Sequence, residues 1–402
     1  MNTRPAMAIW MVLFVLIFTA CTQTKDSIYQ NIPSLDDMPG EWVSADTVDM
    51  EPSIRNFRGQ ALTNRDINSV SWFASAPYSG GYHTGRLRIN GETPEVSDFR
   101  WQAWQALRKV EWKQWKLESS TRMPISKDGV MWEITITNQS NEERALDLEL
   151  DMIGFISNYE NEEWQWWYPY PKMDGQTTTR DEEVENVRKY FNEDFTSIET
   201  VATELVGGKP QQVKKTLRWS SDEEILQSDK YSSSMNGQVV LVQDQETSAQ
   251  TVFRIADSGW DYELFNSGAV ARKSIKLEAR QSYTLRYLML TGDDHAQLIS
   301  NAEQQAANFS SEFKRIEEEW KSRWEQIFRP ENELLSGAFP VLETEDSLAK
   351  RVYYTGPLTM LYLMNTNLPQ HEKVFITGGP RWGGIHYFFL GYHRVVYVVG
   401  GG

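Results

Sequence analysis

The chain is 402 residues long, carries 56 Asp and Glu against 40 Lys and Arg, and has a single cysteine, Cys21. A formal charge of −16 with scattered basic residues argues against a nucleic-acid partner, because neutralising phosphates needs clustered Lys and Arg. One cysteine excludes an internal disulfide and a thiolate metal centre, so the fold must rest on its core, and the length favours two domains.

Asn2 to Arg4 give a basic start, Ala6 to Phe18 an apolar run, and Phe18-Thr19-Ala20-Cys21 follows. The run is too short to span a bilayer as a helix and reads as a secretory signal. Small residues before Cys21 resemble the lipobox of bacterial lipoproteins, in which the cysteine is acylated, although Phe18 stands where that pattern has Leu. Residues 1–20 are therefore expected to be a lipoprotein signal peptide. The mature protein is then lipid-anchored at Cys21 in the bacterial cell envelope, on a periplasmic or outer-membrane face. An ordinary signal peptide or an uncleaved anchor is the alternative. Residues 21–53 are polar, with Pro33, Pro39 and Gly40, and read as a tether and lead-in that need not pack.

From there to Gly292 the apolar pattern has period two. Val130, Trp132, Ile134 and Ile136 alternate with Glu133, Thr135 and Thr137; Leu146, Leu148 and Leu150 alternate with Asp147, Glu149 and Asp151. These predict paired half-buried strands joined by a turn over Asn138 to Glu143. Further strands are predicted at Gln238 to Gln243, Thr251 to Ala256, Val270 to Leu277 and Tyr283 to Leu290. With no long amphipathic helix between them, an antiparallel β-sandwich over 54–292 is favoured over an alternating α/β sheet. The segment between Met173 and Ser220 is polar and acidic and predicts a short helix around Glu185 to Phe191 with a solvated charged face.

The period then changes. Leu298, Ala302, Ala306, Phe309, Phe313, Ile316, Trp320, Trp324 and Ile327 fall three or four apart, which predicts one long linker helix over 293–330, capped by Asp293 or Asp294. A second, largely apolar helix is predicted from Asp346 to Asn365, kinked or interrupted at Gly356-Pro357. Asn365-Thr366-Asn367-Leu368-Pro369 ends it, and the glycine-rich loop Val374 to Gly384, VFITGGPRWGG, follows, running into Tyr387-Phe388-Phe389. Gly378, Gly379, Gly383 and Gly384 permit close backbone approach to a ligand, Arg381 can bond two hydroxyls, and Trp382 offers a stacking face. A tight turn with a buried Trp and a structural Arg is the alternative.

This layout and loop resemble the bacterial six-hairpin glycosidases, including trehalases and processing α-glucosidase relatives. The resemblance implies a mainly β chain: an antiparallel β-supersandwich, a linker helix, and the first helix or helices of an incomplete (α/α)6 barrel at 331–389. It implies a glycoside hydrolase acting on oligosaccharides or glycans, membrane-anchored given the lipobox-like start, with Arg381 and Trp382 as substrate-binding residues, to which the loop's own glycines add Gly379. The acid and base of such enzymes come from the barrel, so the catalytic residues are left unassigned and the chain is expected to be inactive as written. Where the family pattern gives Trp-Asp, this chain reads Leu390-Gly391 and continues to Gly402. If those codons are TTG and GGA, loss of one T restores TGG-GAT, so 390–402 is expected to be out of frame.

Sixteen Trp and 12% aromatic residues suit a carbohydrate ligand, although such residues equally build cores. Trp166 and Trp167 lie in an aromatic cluster beside Glu160, Glu162 and Glu163, and Asp257, Asp261 and Glu263 flank Trp260. Either group has the composition of a sugar site, and either can be core packing. The five histidines show no metal-ligand spacing, and no phosphate loop or serine elbow is present, so no metal and no cofactor are expected. A non-enzymatic carbohydrate-binding or structural envelope lipoprotein is the competing reading.

Overall fold

Alternating apolar residues bury one face of a strand, and several such strands can share one core only by stacking sheets. In a computed structural model the described residues are 28–38, 40–48, 53–64, 66–158, 173–174, 197–206, 209–219, 223, 226–367 and 374–375. By their contacts they divide into a β-rich unit, within 41–316 and 364–375, and a smaller one, within 28–40 and 317–363.

The β-rich unit is antiparallel throughout. Its nine-stranded sheet runs, in spatial order, Val43–Ser44, Asp98–Gln102, Gln105–Trp112, Trp115–Arg122, Gly129–Asn138, Ser282–Gly292, Gln250–Ile255, Val239–Asp244 and Tyr231–Asn236. A four-stranded sheet contains Asp261–Phe265, Gly268–Leu277, Arg144–Ile153 and Leu87–Ile89. A five-stranded one contains Ile156–Asn158, Tyr78–Gly80, Val70–Ser75, Gly59–Thr63 and Ser53–Arg55. All three send side chains into one core, among them Trp132 and Ile134, Leu148 and Ala271, and Ile54 and Phe73. This is the expected β-sandwich. Trp132 stacks on Tyr287 with ring centroids 4.8 Å apart and donates its indole N–H to the Asn68 carbonyl at 2.7 Å. Pairing that N–H is what lets so large a ring sit fully buried.

The two strands expected to pair across Asn138 to Glu143 do not. Gly129–Asn138 pairs with Trp115–Arg122 and Ser282–Gly292, whereas Arg144–Ile153 pairs with Gly268–Leu277 and Leu87–Ile89. The chain therefore arches from one sheet to the other, and the step from Gly268–Leu277 to Ser282–Gly292 does the same. Asn138 ties the two arches, donating its amide to Glu142 O, Leu277 O and Glu278 O at 2.8, 3.0 and 3.1 Å. Period two identifies the buried face but not the partner strand, since either partner leaves that face on the core.

The polar segment before Ser220 also differs from its expectation. Ser197–Val206 and Lys209–Trp219 form a long antiparallel hairpin with Met173–Asp174 at its edge. The predicted helix at Glu185 to Phe191 lies outside the described residues.

The long helix is two. α1, His295–Ala307, starts at Asp294, whose carboxylate accepts from Gln297 N at 2.9 Å. At Asn308 the backbone leaves helical angles and the side-chain amide takes the Gln304 carbonyl at 3.0 Å, after which α2, Phe309–Gln326, begins. A one-residue break barely shifts the phase of the apolar stripe, so the pattern cannot show it, and every member from Leu298 to Ile327 is buried. α1 packs on Gln250–Ile255 and Ser282–Gly292. On α2, Arg122 donates to the Phe313 carbonyl at 2.7 Å with its guanidinium 4.3 Å above the Phe313 ring.

In the smaller unit, residues 28–38 pack rather than run loose. Leu35 and Met38 are buried, Trp324 donates to Pro33 O at 2.9 Å, and Lys321 pairs with Asp36 at 2.7 Å. α3, Ser347–Leu363, is capped by Asp346 and continues as one helix through Pro357. Tyr354 packs edge-on against Trp324 and Phe328. Its first turns are less covered than the apolar sequence implied, with Leu348 and Val352 each 68% exposed.

Candidate functional site

The glycine-rich loop leaves the described chain at a two-stranded ribbon, in which Met364 pairs with Phe375 and Asn365 with Val374. The Asn-Thr-Asn run ending α3 supplies its anchor. Short polar side chains of this kind bond neighbouring backbone groups once a helix has ended. Thr366 gives both its N–H and its hydroxyl to Phe57 O, at 2.7 and 3.0 Å. Asn365 Nδ2 donates to Arg58 O at 3.0 Å, and Asn367 Nδ2 reaches Ser75 Oγ and Ala76 O at 3.4 and 3.3 Å. Asn365 Oδ1 also accepts from Asn367 N at 3.1 Å, which closes the turn.

The receiving corner is itself rigid. Phe57 is fully buried with φ +67°, a left-handed conformation that costs a bulky residue roughly 1–2 kcal/mol and persists only where its surroundings hold it. Asn56 holds it: Oδ1 accepts from Arg58 N and Gly59 N at 3.1 and 2.9 Å, while Nδ2 donates to Pro124 O and Lys127 O at 2.5 and 3.1 Å. Gly59 is required there, because a Cβ would lie 2.3 Å from Ala74 O. Arg58 meets Asp128 in a two-pronged pair, Nε to Oδ1 at 2.8 Å and Nη2 to Oδ2 at 2.9 Å, and Ser75 Oγ donates to Asp128 Oδ1 at 2.6 Å. The hydrogen bond to Asp128 raises the Arg58 pKa against the opposing effect of burial, so this cation is permanent. The sequence signal for the corner is slight: Asn56 and Asp128 are 72 positions apart and neither belongs to a motif.

The sugar-like group around Trp260 is closed on itself. Trp260 is buried in the main core, and Asp257 accepts from its indole N–H at 3.3 Å, from Tyr283 OH at 2.8 Å and from Lys273 Nζ. Glu263 pairs with Arg272, and Asp261 is exposed at a strand edge. Burial, followed by the bond to Asp257, raises the Tyr283 pKa, so its phenol stays protonated. Asp257 and Glu263 are thus engaged by cations, and the Lys273 ammonium lies 5.6 Å from the centroids of both the Trp260 and the Tyr283 ring. His83 takes part in a buried network: its Nδ1 lies 3.0 Å from Asn64 Nδ2, and Asn64 also donates to Ser69 Oγ at 2.7 Å. Desolvation, then nearby Arg86, lowers its pKa, and neutral imidazole is the form that accepts from Asn64.

Gly379, Arg381 and Trp382, the aromatic pair Trp166 and Trp167, and Cys21 lie outside the described residues, as do Glu160, Glu162 and Glu163. The structure thus brings together the support of the predicted loop. Among the described residues there is no cluster of metal-ligating side chains, and no helix is long and apolar enough to cross a membrane.

No protein-family model matches the chain, and no curated protein matches it. Solved structures do. One named for a kojibiose phosphorylase from the human microbiome is 10% identical with a TM-score of 0.47, over 82% of this chain and 42% of that one. A bacterial glucoamylase complexed with acarbose is 8% identical with a TM-score of 0.39, over 81% of this chain and 42% of that one. A galactose mutarotase related enzyme from Lactobacillus acidophilus is 8% identical with a TM-score of 0.30, over 60% of this chain and 97% of that one. The chain therefore spans 42% of the length of the first two.

Proposed function

We propose that this chain belongs to a lipid-anchored glycoside hydrolase of the bacterial envelope, acting on α-linked oligosaccharides or glycans. In this reading Arg381, Trp382 and Gly379 contact the sugar, and Trp166 and Trp167 add stacking surface. The observation that carries it is the clamp at the base of the glycine-rich loop. Asn365, Thr366 and Asn367 bond three places on the sandwich, Phe57, Arg58 and the Ser75–Ala76 pair, immediately before the chain enters the loop. A turn that merely reverses the chain has no need of such support, whereas a binding loop must be held within a fraction of an ångström of its working geometry. Hydrolysis needs two carboxyl groups flanking one bond. Asp257 and Glu263 beside Trp260 are held in ion pairs, which argues against that pair as the acid and base.

Calorimetric titration of the purified chain with α-linked oligosaccharides tests this. Binding should weaken at least roughly ten-fold in Trp382→Ala and in Arg381→Ala, the loss of about 1.4 kcal/mol of contact. Equal binding by the variants, or none by the parent chain, sinks the proposal. Binding without turnover by the longest product of the gene would turn the reading to a non-enzymatic carbohydrate-binding lipoprotein. The anchor is tested separately: a metabolic fatty-acid label should be lost in Cys21→Ser, and its retention would remove the anchor.

A further inference from the structure

Asp128 stands at the junction of two anchoring routes, which gives it a role beyond holding a loop of the sandwich together. Both carboxylate oxygens are occupied, Oδ1 by Arg58 Nε and Ser75 Oγ and Oδ2 by Arg58 Nη2. The two residues it grips are two that receive the ribbon: Arg58 through its carbonyl to Asn365, and Ser75 through its hydroxyl to Asn367. Its own carbonyl accepts from Thr291 N at 2.8 Å, which ties this junction to Ser282–Gly292, an interior strand of the large sheet. A single carboxylate therefore links the rigid sheet to two separate bonds of the segment that launches the glycine-rich loop.

We infer that Asp128 is a positioning residue for the segment Met364 to Asn367 and its ribbon partner Val374–Phe375, at the base of the glycine-rich loop, acting through Arg58 and Ser75; the inference rests on reading that loop as sugar-binding. The physical content is cooperative. Ser75 Oγ gives its proton to Asp128 and accepts from Asn367, and Arg58 bonds Asp128 with its guanidinium and Asn365 with its carbonyl, so each of the two residues joins the carboxylate to the segment. With the carboxylate replaced by an amide, one face of the side chain becomes a donor opposed to a donor, Arg58 or Ser75. At least one route then slackens, although the volume is unchanged.

The test is hydrogen exchange read by mass spectrometry on the full chain, beside sugar affinity. In Asp128→Asn the amides of 365–367 and 374–375 should exchange faster by on the order of ten-fold, the effect of losing one charged hydrogen bond. Strand Gly129–Asn138 should exchange as before. Asp128→Asn combined with Asn367→Ala should loosen the segment by less than the sum of the two single variants, since they share the Ser75–Asn367 route. If Asp128→Asn fails to fold, Ser75→Ala removes one route alone and should give a smaller local increase. Unchanged exchange at 365–367, or an equal increase in every strand, overturns the inference. Should exchange rise locally while the parent chain binds no sugar, the positioning role stands and the sugar-binding reading fails.

Discussion

Two polar clusters on the same sandwich make an instructive pair. The group around Trp260 has the composition of a sugar site, with three acidic residues, a tryptophan and a tyrosine, yet Asp257 and Glu263 are paired with Lys273 and Arg272 and the Trp260 and Tyr283 donors are taken by Asp257. The corner at Asn56 to Gly59 and Asp128 has an unremarked sequence, yet it receives the segment that leads into the glycine-rich loop. What separates them is direction. One cluster turns its hydrogen bonds inward and stabilises the core edge; the other turns them towards a segment more than 230 residues away in the chain.

That contrast can be broken by experiment. Trp260→Ala should lower unfolding stability by about 3 kcal/mol in urea, the usual cost of emptying a buried aromatic site, with sugar affinity unchanged. A matching loss of affinity in the folded variant would make the Trp260 group functional after all. Thr366→Val keeps the backbone bond to Phe57 but deletes the hydroxyl bond, and should weaken sugar binding by about 1 kcal/mol, roughly five-fold, with little change in urea midpoint. The reverse pattern would make the anchor purely structural.

The pH dependences are smaller and fall on opposite sides of neutrality. Tyr283 and Tyr262 both have raised pKa values, chiefly from burial, with Tyr262 at about 12. Their unfolded phenols ionise from about pH 10. Their contribution is therefore intact below about pH 10 and is lost as pH rises through the folded values. Tyr283→Phe should make that alkaline loss of stability shallower, and an unchanged slope in urea titrations at several alkaline pH values would contradict the bond to Asp257. His83 has a lowered pKa, so its contribution is present above about pH 6.5 and lost as pH falls below it. His83→Gln should flatten that acid slope, with the smallest effect of the set; a steeper slope would contradict a neutral, buried imidazole.

Much of the fold was legible because burial is local in its causes. Val130 to Ile136 and Leu146 to Leu150 alternate since each strand has one face on the core, and the α1 and α2 stripe recurs every three or four residues since each helix does too. Boundaries followed where a local chemical signal existed, such as Asp294 capping α1. The break at Asn308 was silent because a single non-helical residue hardly disturbs the phase of the stripe. The hairpin Ser197–Val206 with Lys209–Trp219 was silent because its residues are polar and give no clear period. Of the candidate site, the Asn-Thr-Asn run was visible as the end of a helix, while its partners were not.

By itself, then, the sequence determined the class of the elements with a clear apolar period, the charge and cysteine limits on partners, and the glycine-rich loop as the strongest ligand-contact candidate, because all of these depend on local composition and spacing. The tertiary structure alone decided that strands adjacent in the chain enter different sheets, that Asp257 and Glu263 are paired with cations, and that Phe57, Arg58 and Ser75 meet Asn365 to Asn367. Those outcomes depend on which groups a closed core brings within about 3 Å, and hydrogen-bond direction at that range leaves no trace in residue order.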